Sequence, residues 1–98
     1  VLATQSESPE SFQKFHINIV KVLREIFDYA DPMYGSVPIY PSGSWSWTFA
    51  SMQSPRYMNP KESRVKEVCE TCQIWSKRWQ QGAVKTMPVY IERELAKT

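Results

Sequence analysis

The stretch "VPIYPSGSWSWTFAS", Val37 to Ser51, reads as the end of one strand, a tight corner and a second strand. In its second half Trp45, Trp47 and Phe49 alternate with Ser44, Ser46, Thr48 and Ala50. That is the period-two pattern of a half-buried strand, and the aromatic stripe is expected to face the core. Pro38 and Pro41 flank Tyr40 and cannot donate to a sheet ladder, while Ser42-Gly43 is an ordinary turn pair. The corner predicts a hairpin whose last strand runs antiparallel to its neighbour. It also admits a sharper reading, in which the bend holds the Tyr40 hydroxyl at the edge of a pocket.

Outward from the corner, "MYGSVPIY" is the preceding strand, interrupted by Gly35 and Pro38. Before it, Phe12, Phe15, Ile19, Leu23, Ile26 and Phe27 follow helical spacing from Ser11 to about Tyr29. Ser8 suits the helix cap, Pro9 suits the first turn, and Asp31-Pro32 ends the segment. "VLATQ" at the start is a short apolar strand, so strand, helix and strand follow one another as in a βαβ unit of an α/β protein. A strand at the first residue needs a neighbour, which implies a chain that begins inside something larger. After the corner, "MQSPRYMNPKES" is a polar loop. A helix is expected from Asn59-Pro60 to about Thr71, with Val65, Val68 and Cys69 on one side, and a last helix over "VYIERELAK".

The 98 residues suffice for one domain. Twelve basic and ten acidic residues are mixed along the chain, which argues against nucleic acid or an anionic membrane as partner. No stretch approaches the roughly 20 apolar residues of a membrane-spanning helix, and "VLATQSESPE" lacks the pattern of a signal peptide. The single CxxC, Cys69 and Cys72, is too few ligands for a structural zinc site and lies within or at the end of a helix. We read both as packing thiols, and His16, the only histidine, as a helix-surface or packing residue. No metal or cofactor site is expected. Gln5 and Glu7 differ, because they stand where a strand ends and a helix begins, the place where open α/β sheets collect ligands. Tyr40, at the end of another predicted strand, can reach the same crevice.

These residues carry a resemblance. "QSES" after a strand, then "VPIYPSGSWSWTFAS" after a helix, resembles the spermidine synthase (polyamine aminopropyltransferase) family, which reads Q-x-E-S and later I-P-T-Y-P-S/G-G. "IWSKRWQQGAVKTMPVYIEREL" is similar to the family's closing Y-Y-N-x-x-x-H-x-A-A-F-x-L-P-x-F segment, with Ala83, Val84 and Pro88 on its Ala, Phe and Pro positions. Trp75, Ser76 and Gln80 depart from the tyrosine, asparagine and histidine found there. The family's glycine-rich nucleotide loop and catalytic aspartate are not in this sequence.

The resemblance implies the C-terminal part of a Rossmann-like, class I methyltransferase-type sheet: a helix between strands, a last antiparallel strand and C-terminal helices, with residues 1–98 as one segment of a catalytic domain. It implies transfer of an aminopropyl group from decarboxylated S-adenosylmethionine, bound mainly by the upstream part, to putrescine. Tyr40 would then be a catalytic and substrate-binding residue that orients the attacking amine, and Gln5 would bind the amine. A cytoplasmic homo-oligomer, inactive as an isolated 98-residue piece, goes with that reading. The alternatives are a non-catalytic truncated relative that binds a partner through its sheet edge, or a methyltransferase of the same broad fold.

Overall fold

The computed structural model describes every residue except Pro41, Ser54, Arg56 and Thr98. Three strands, β1 (Leu2–Gln5), β2 (Tyr29–Ser36) and β3 (Ser44–Ser51), form a sheet in the order β1-β3-β2. Among the described residues four helices accompany it: α1 (Gln13–Ile26), α2 (Glu62–Cys69), α3 (Lys77–Lys85) and α4 (Val89–Ala96). β3 pairs antiparallel with both neighbours, so β1 and β2 run parallel to each other with β3 inserted between them. The strand-helix-strand order holds, but the crossover skips one position. The hairpin between β2 and β3 is present as expected.

Several boundaries differ from the sequence reading. α1 begins at Gln13 and ends at Ile26, and Tyr29 already belongs to β2. Ser8 does cap, one turn earlier: its Oγ accepts from the Glu10 and Ser11 backbone N–H groups at 3.3 and 3.1 Å. β2 carries Pro32 inside it and stops at Ser36, so Tyr40 lies in the connecting loop and not on the strand. β2 is an edge strand, where a missing N–H is tolerated. α3 is a helix that the apolar pattern did not single out; Ser76 caps it by accepting from the Trp79 N–H at 3.1 Å.

The largest correction concerns which face of β3 is inside. Ser46, Thr48 and Ala50 are fully buried, while Trp45, Trp47 and Phe49 are half-buried on the opposite face. The register puts Ala3 and Gln5, Asp31, Met33 and Gly35 on that aromatic face. The buried stripe of α1 is correspondingly His16, Val20 and Leu23, and Phe12, Phe15 and Ile26 are exposed. Small side chains on β3 let α1 lie close to the sheet, with Leu23, Ala30 and Ala50 forming the apolar cluster and Ile19 and Phe27 packed against it.

At the other end of the same face the contact is polar and completely satisfied. His16 Nδ1 is 2.7 Å from the Ser6 carbonyl and 3.0 Å from Ser46 Oγ. A carbonyl only accepts, so Nδ1 carries the proton; Nε2 then accepts from the Tyr34 hydroxyl at 2.7 Å. Ser46 Oγ donates to the Glu7 carbonyl at 2.7 Å, and so must accept from Ser6 Oγ, also at 2.7 Å. Ser6 in turn accepts from Thr48 Oγ1 at 2.8 Å. Each proton is used once, and among the described residues no buried side-chain polar atom lacks a partner.

Two predictions follow from these two ends of one face. Replacing Ala50 by Leu overpacks the α1–sheet contact and should cost about 1–3 kcal/mol in urea unfolding of the complete protein. Burial lowers the His16 pKa from its ordinary value of 6.5, against a smaller opposing effect of the Ser6 carbonyl. The unfolded chain therefore takes up the proton first. Stability should be full above pH 6.5 and fall as pH drops from there towards the lower folded value. The His16→Phe variant should lack that part of the pH dependence of urea unfolding.

Candidate functional site

Because β1 and β2 are parallel and β3 returns between them, the carboxyl ends of β1 and β2 and the start of β3 meet at one end of the sheet. Two connections leave from that end: Ser6 to Phe12, and Val37 to Gly43. They are tied to each other. Ser8 Oγ lies 3.1 Å from Ser42 Oγ, and Ser44 Oγ donates to Glu10 Oε1 at 3.3 Å.

The β2–β3 loop is held by its own backbone. Tyr40 N–H donates to the Val37 carbonyl at 2.9 Å, Gly43 N–H to the Tyr40 carbonyl at 3.0 Å, and Val37 N–H to the Gly43 carbonyl at 2.9 Å. Ser42 and Gly43 both take left-handed backbone angles, φ 66° and 71°. Glycine takes that region freely and serine at a cost; the Ser8 and Ser44 contacts of the Ser42 hydroxyl hold it there. The expected proline frame around Tyr40 is met only in part: Pro38 lies in the turn, and Pro41 lies outside the described residues.

Gln5 and Tyr40 are brought together through a residue that the sequence reading assigned to the core. Trp45 Nε1 donates to Gln5 Oε1 at 3.0 Å, and the Trp45 ring meets the Tyr40 ring with centroids 4.6 Å apart. An indole N–H only donates, so this bond fixes which end of the Gln5 amide is oxygen. It leaves the second lone pair of Oε1 and both amide protons for a ligand. Among the described residues no group hydrogen-bonds the Tyr40 hydroxyl. The signal for Trp45 was present in the alternation of β3, which puts it on the same face as Gln5.

Glu7 stands just beyond Gln5, past the end of β1. It adopts φ 68°, unusual for a residue with a side chain, and its carbonyl is pinned by Ser46. Its carboxylate forms no ion pair among the described residues. Along the aromatic face below, Ala3, Gln5, Met33, Trp47 and Phe49 line an open groove of about 580 Å³. Trp47 can lie across the sheet because Gly35 has no side chain; a Cβ there would sit 3.0 Å from the indole. Farther along the same face Tyr57 stacks on Phe49 at 5.7 Å and donates to Asp31 Oδ2 at 3.0 Å.

The other candidates stand apart from this end of the sheet. His16 is buried beneath it, a packing residue as read but within a polar network and not on the helix surface. Cys69 ends α2 and Cys72 lies beyond it, both as free thiols. No helix among the described residues is long and apolar enough to cross a membrane.

No family model matches the chain. Individual proteins do. The polyamine aminopropyltransferase of Prochlorococcus marinus strain NATL2A is 81% identical over 97 residues, covering 99% of this chain and 34% of that protein. That of strain MIT 9313 is 58% identical over 95 residues, covering 97% and 33%. Among solved structures, spermidine synthase from Thermotoga maritima superposes with a TM-score of 0.82 at 19% identity, over 98% of this chain and 34% of that one. A spermidine synthase in complex with the transition state analogue AdoDATO gives the same TM-score and identity. The chain spans about a third of the length of the relatives it matches. With the spermidine synthase fold shared and the sequence matched along nearly every residue, the chain is the counterpart of one portion of a polyamine aminopropyltransferase, consistent with the C-terminal portion that its Gln5–Ser8 and Tyr40–Gly43 stretches resemble.

Proposed function

We propose that the complete protein transfers an aminopropyl group from decarboxylated S-adenosylmethionine to putrescine, and that residues 1–98 form the C-terminal part of its catalytic domain, lining the amine side of the cleft. The observation that supports this most is the Gln5–Trp45–Tyr40 linkage at the carboxyl ends of two parallel strands. It presents an amide that opens on a groove lined by Ala3, Met33, Trp47 and Phe49, with a phenol beside it. A diamine has that character: two polar ends on an apolar stem.

In the reaction a neutral amine nitrogen attacks the carbon next to the sulfonium. The C–S bond breaks, methylthioadenosine leaves, and the new ammonium gives up a proton. A free alkyl amine is protonated at neutral pH, so a carboxylate must accept its proton in the complex. The family resemblance assigns that role to an aspartate upstream of these residues. Here Gln5 accepts an N–H of the amine through the free lone pair of Oε1, directly or through water, and Tyr40 orients the nitrogen with its hydroxyl. Orientation of this kind lowers barriers by several kcal/mol, roughly within the 7–11 kcal/mol available to well-placed reactants. The nucleotide co-substrate is held mainly by the upstream part, and a cytoplasmic homo-oligomer fits the same reading.

The test is direct. The complete protein, given decarboxylated S-adenosylmethionine and putrescine, should produce spermidine and methylthioadenosine in equal amounts by mass spectrometry. No product from putrescine or from longer polyamines would overturn the reading. The isolated 98-residue chain should give none. Within the complete protein, Tyr40→Phe should slow transfer at least ~10-fold, about 1.4 kcal/mol. Trp45→Phe removes the N–H that holds Gln5 and should raise the KM for putrescine by roughly 3- to 10-fold, the scale of one neutral hydrogen bond. Unchanged constants in both variants would remove this end of the sheet from the amine site.

A further inference from the structure

His16 does more than fill space, and its partners say what. Its Nδ1 donates to the carbonyl of Ser6, the residue directly between Gln5 and Glu7. The Ser46 hydroxyl, 3.0 Å from the same nitrogen, donates to the carbonyl of Glu7, the next residue along. Two consecutive carbonyls at the end of β1 are therefore fixed from below by one cluster, and the second belongs to the left-handed residue. Ser6 N–H donates to the Ser46 carbonyl at 2.9 Å and completes the hold on this turn. On its other side His16 is fixed by the Tyr34 hydroxyl, with the two rings meeting edge to face at 5.3 Å. The imidazole thus joins α1, the end of β1, β2 and β3 at one point. The Ser6, His16, Ser46 and Thr48 side chains are fully buried, and Glu7 and Tyr34 are half-buried.

We propose that His16 is a positioning residue for amine binding: it fixes the Ser6–Glu7 backbone and, through it, the direction in which the neighbouring Gln5 amide faces the amine. The proposal rests on the aminopropyl-transfer reading for the identity of the ligand, and on the geometry alone for the positioning. A side chain of the same shape without nitrogen atoms fills the space but leaves the Ser6 carbonyl without its donor and the Tyr34 hydroxyl without its acceptor. Gln5 then samples other directions, and the loss falls on the amine and not on the nucleotide co-substrate.

The experiment uses the complete protein. His16→Phe keeps a flat ring and loses both hydrogen bonds. His16→Asn keeps an N–H donor close to the Nδ1 position and is the conservative variant. With Phe the KM for putrescine should rise at least ~10-fold, while the KM for decarboxylated S-adenosylmethionine stays within about twofold. Asn should bring the putrescine KM back to within about threefold of the parent. A second readout needs no turnover: solvent exchange of the Trp45 indole N–H by NMR, assigned with Trp45→Phe. It should quicken at least ~10-fold in His16→Phe and not in His16→Asn. Should the Phe variant fail to fold, Tyr34→Phe frees the other side of the ring and should give a rise of about threefold in the same KM. Equal rises in both KM values, no difference between Phe and Asn, or unaltered Trp45 exchange would overturn the proposal. If the parent protein transfers nothing to any amine, the functional reading fails, and Trp45 exchange alone decides whether His16 positions this turn.

Discussion

β3 enters the sheet backwards, between two strands that run the other way, and the site depends on that insertion. In a plain parallel sheet the two carboxyl ends would be adjacent strands, each followed by a helix. Here a third backbone starts between them, so a loop from β2 and a loop from β1 face each other across the first residues of β3. Trp45 is the second of those residues, which is why one side chain can bond to Gln5 on one side and touch Tyr40 on the other. Ser44 and Ser46, on the opposite face of the strand from Trp45, hold the connection after β1 from behind through Glu10 and Glu7. A chain with the same residues in a parallel β3 would carry Gln5 and Tyr40 with nothing to relate them.

The two faces of the sheet divide the labour in an uncommon way. The dry face, against α1, is built from alanine, serine and threonine, and half of it is held by hydrogen bonds. The large aromatic surface is turned to the other side and is only half covered. Hydroxyl groups are short and directional. A packed face made from them fixes distances more closely than one made of interdigitated aliphatic chains, at the cost that every member must be satisfied. The apolar half, around Leu23, Ala30 and Ala50, supplies the ordinary burial that keeps α1 on the sheet.

Much of this could be read from the sequence. The order of strand, helix, strand, corner and strand follows from periodicity and from the Pro-Ser-Gly turn, and so does the place of Gln5 at a strand end; Tyr40 lies instead in the loop beyond β2. The misreading of which face is inside has one cause. Hydrophobicity is the sign of burial on which the inward reading of Trp45, Trp47 and Phe49 rests, and it gives no sign of the polar network around His16. In this sheet small polar residues are inside because they satisfy one another, a property of pairs about 30 to 42 positions apart in sequence. No local pattern carries it. α1 was misphased for the same reason: a helix with apolar residues at 12, 15, 17, 19, 20, 22 and 23 offers more than one stripe, and the partner decides. The left-handed angle of Glu7 has no composition signal at all, since glutamate is not a residue that announces it.

The hydroxyl chain beneath the site has a direction. Thr48 donates to Ser6, Ser6 to Ser46 and Ser46 to the Glu7 carbonyl, and the carbonyl at the end can only receive. A row of donors that ends on an obligate acceptor cannot be reversed or shortened from the middle without orphaning a group. It follows that this part of the core resists the usual route to a sturdier protein, in which buried polar residues are exchanged one by one for aliphatic ones. The three hydroxyls form a single inherited unit. Drift at one position has to be answered at the next, so sequence variation here should come in coupled sets, while the apolar half of the same face, limited by volume and not by partnering, exchanges residues of similar size one at a time.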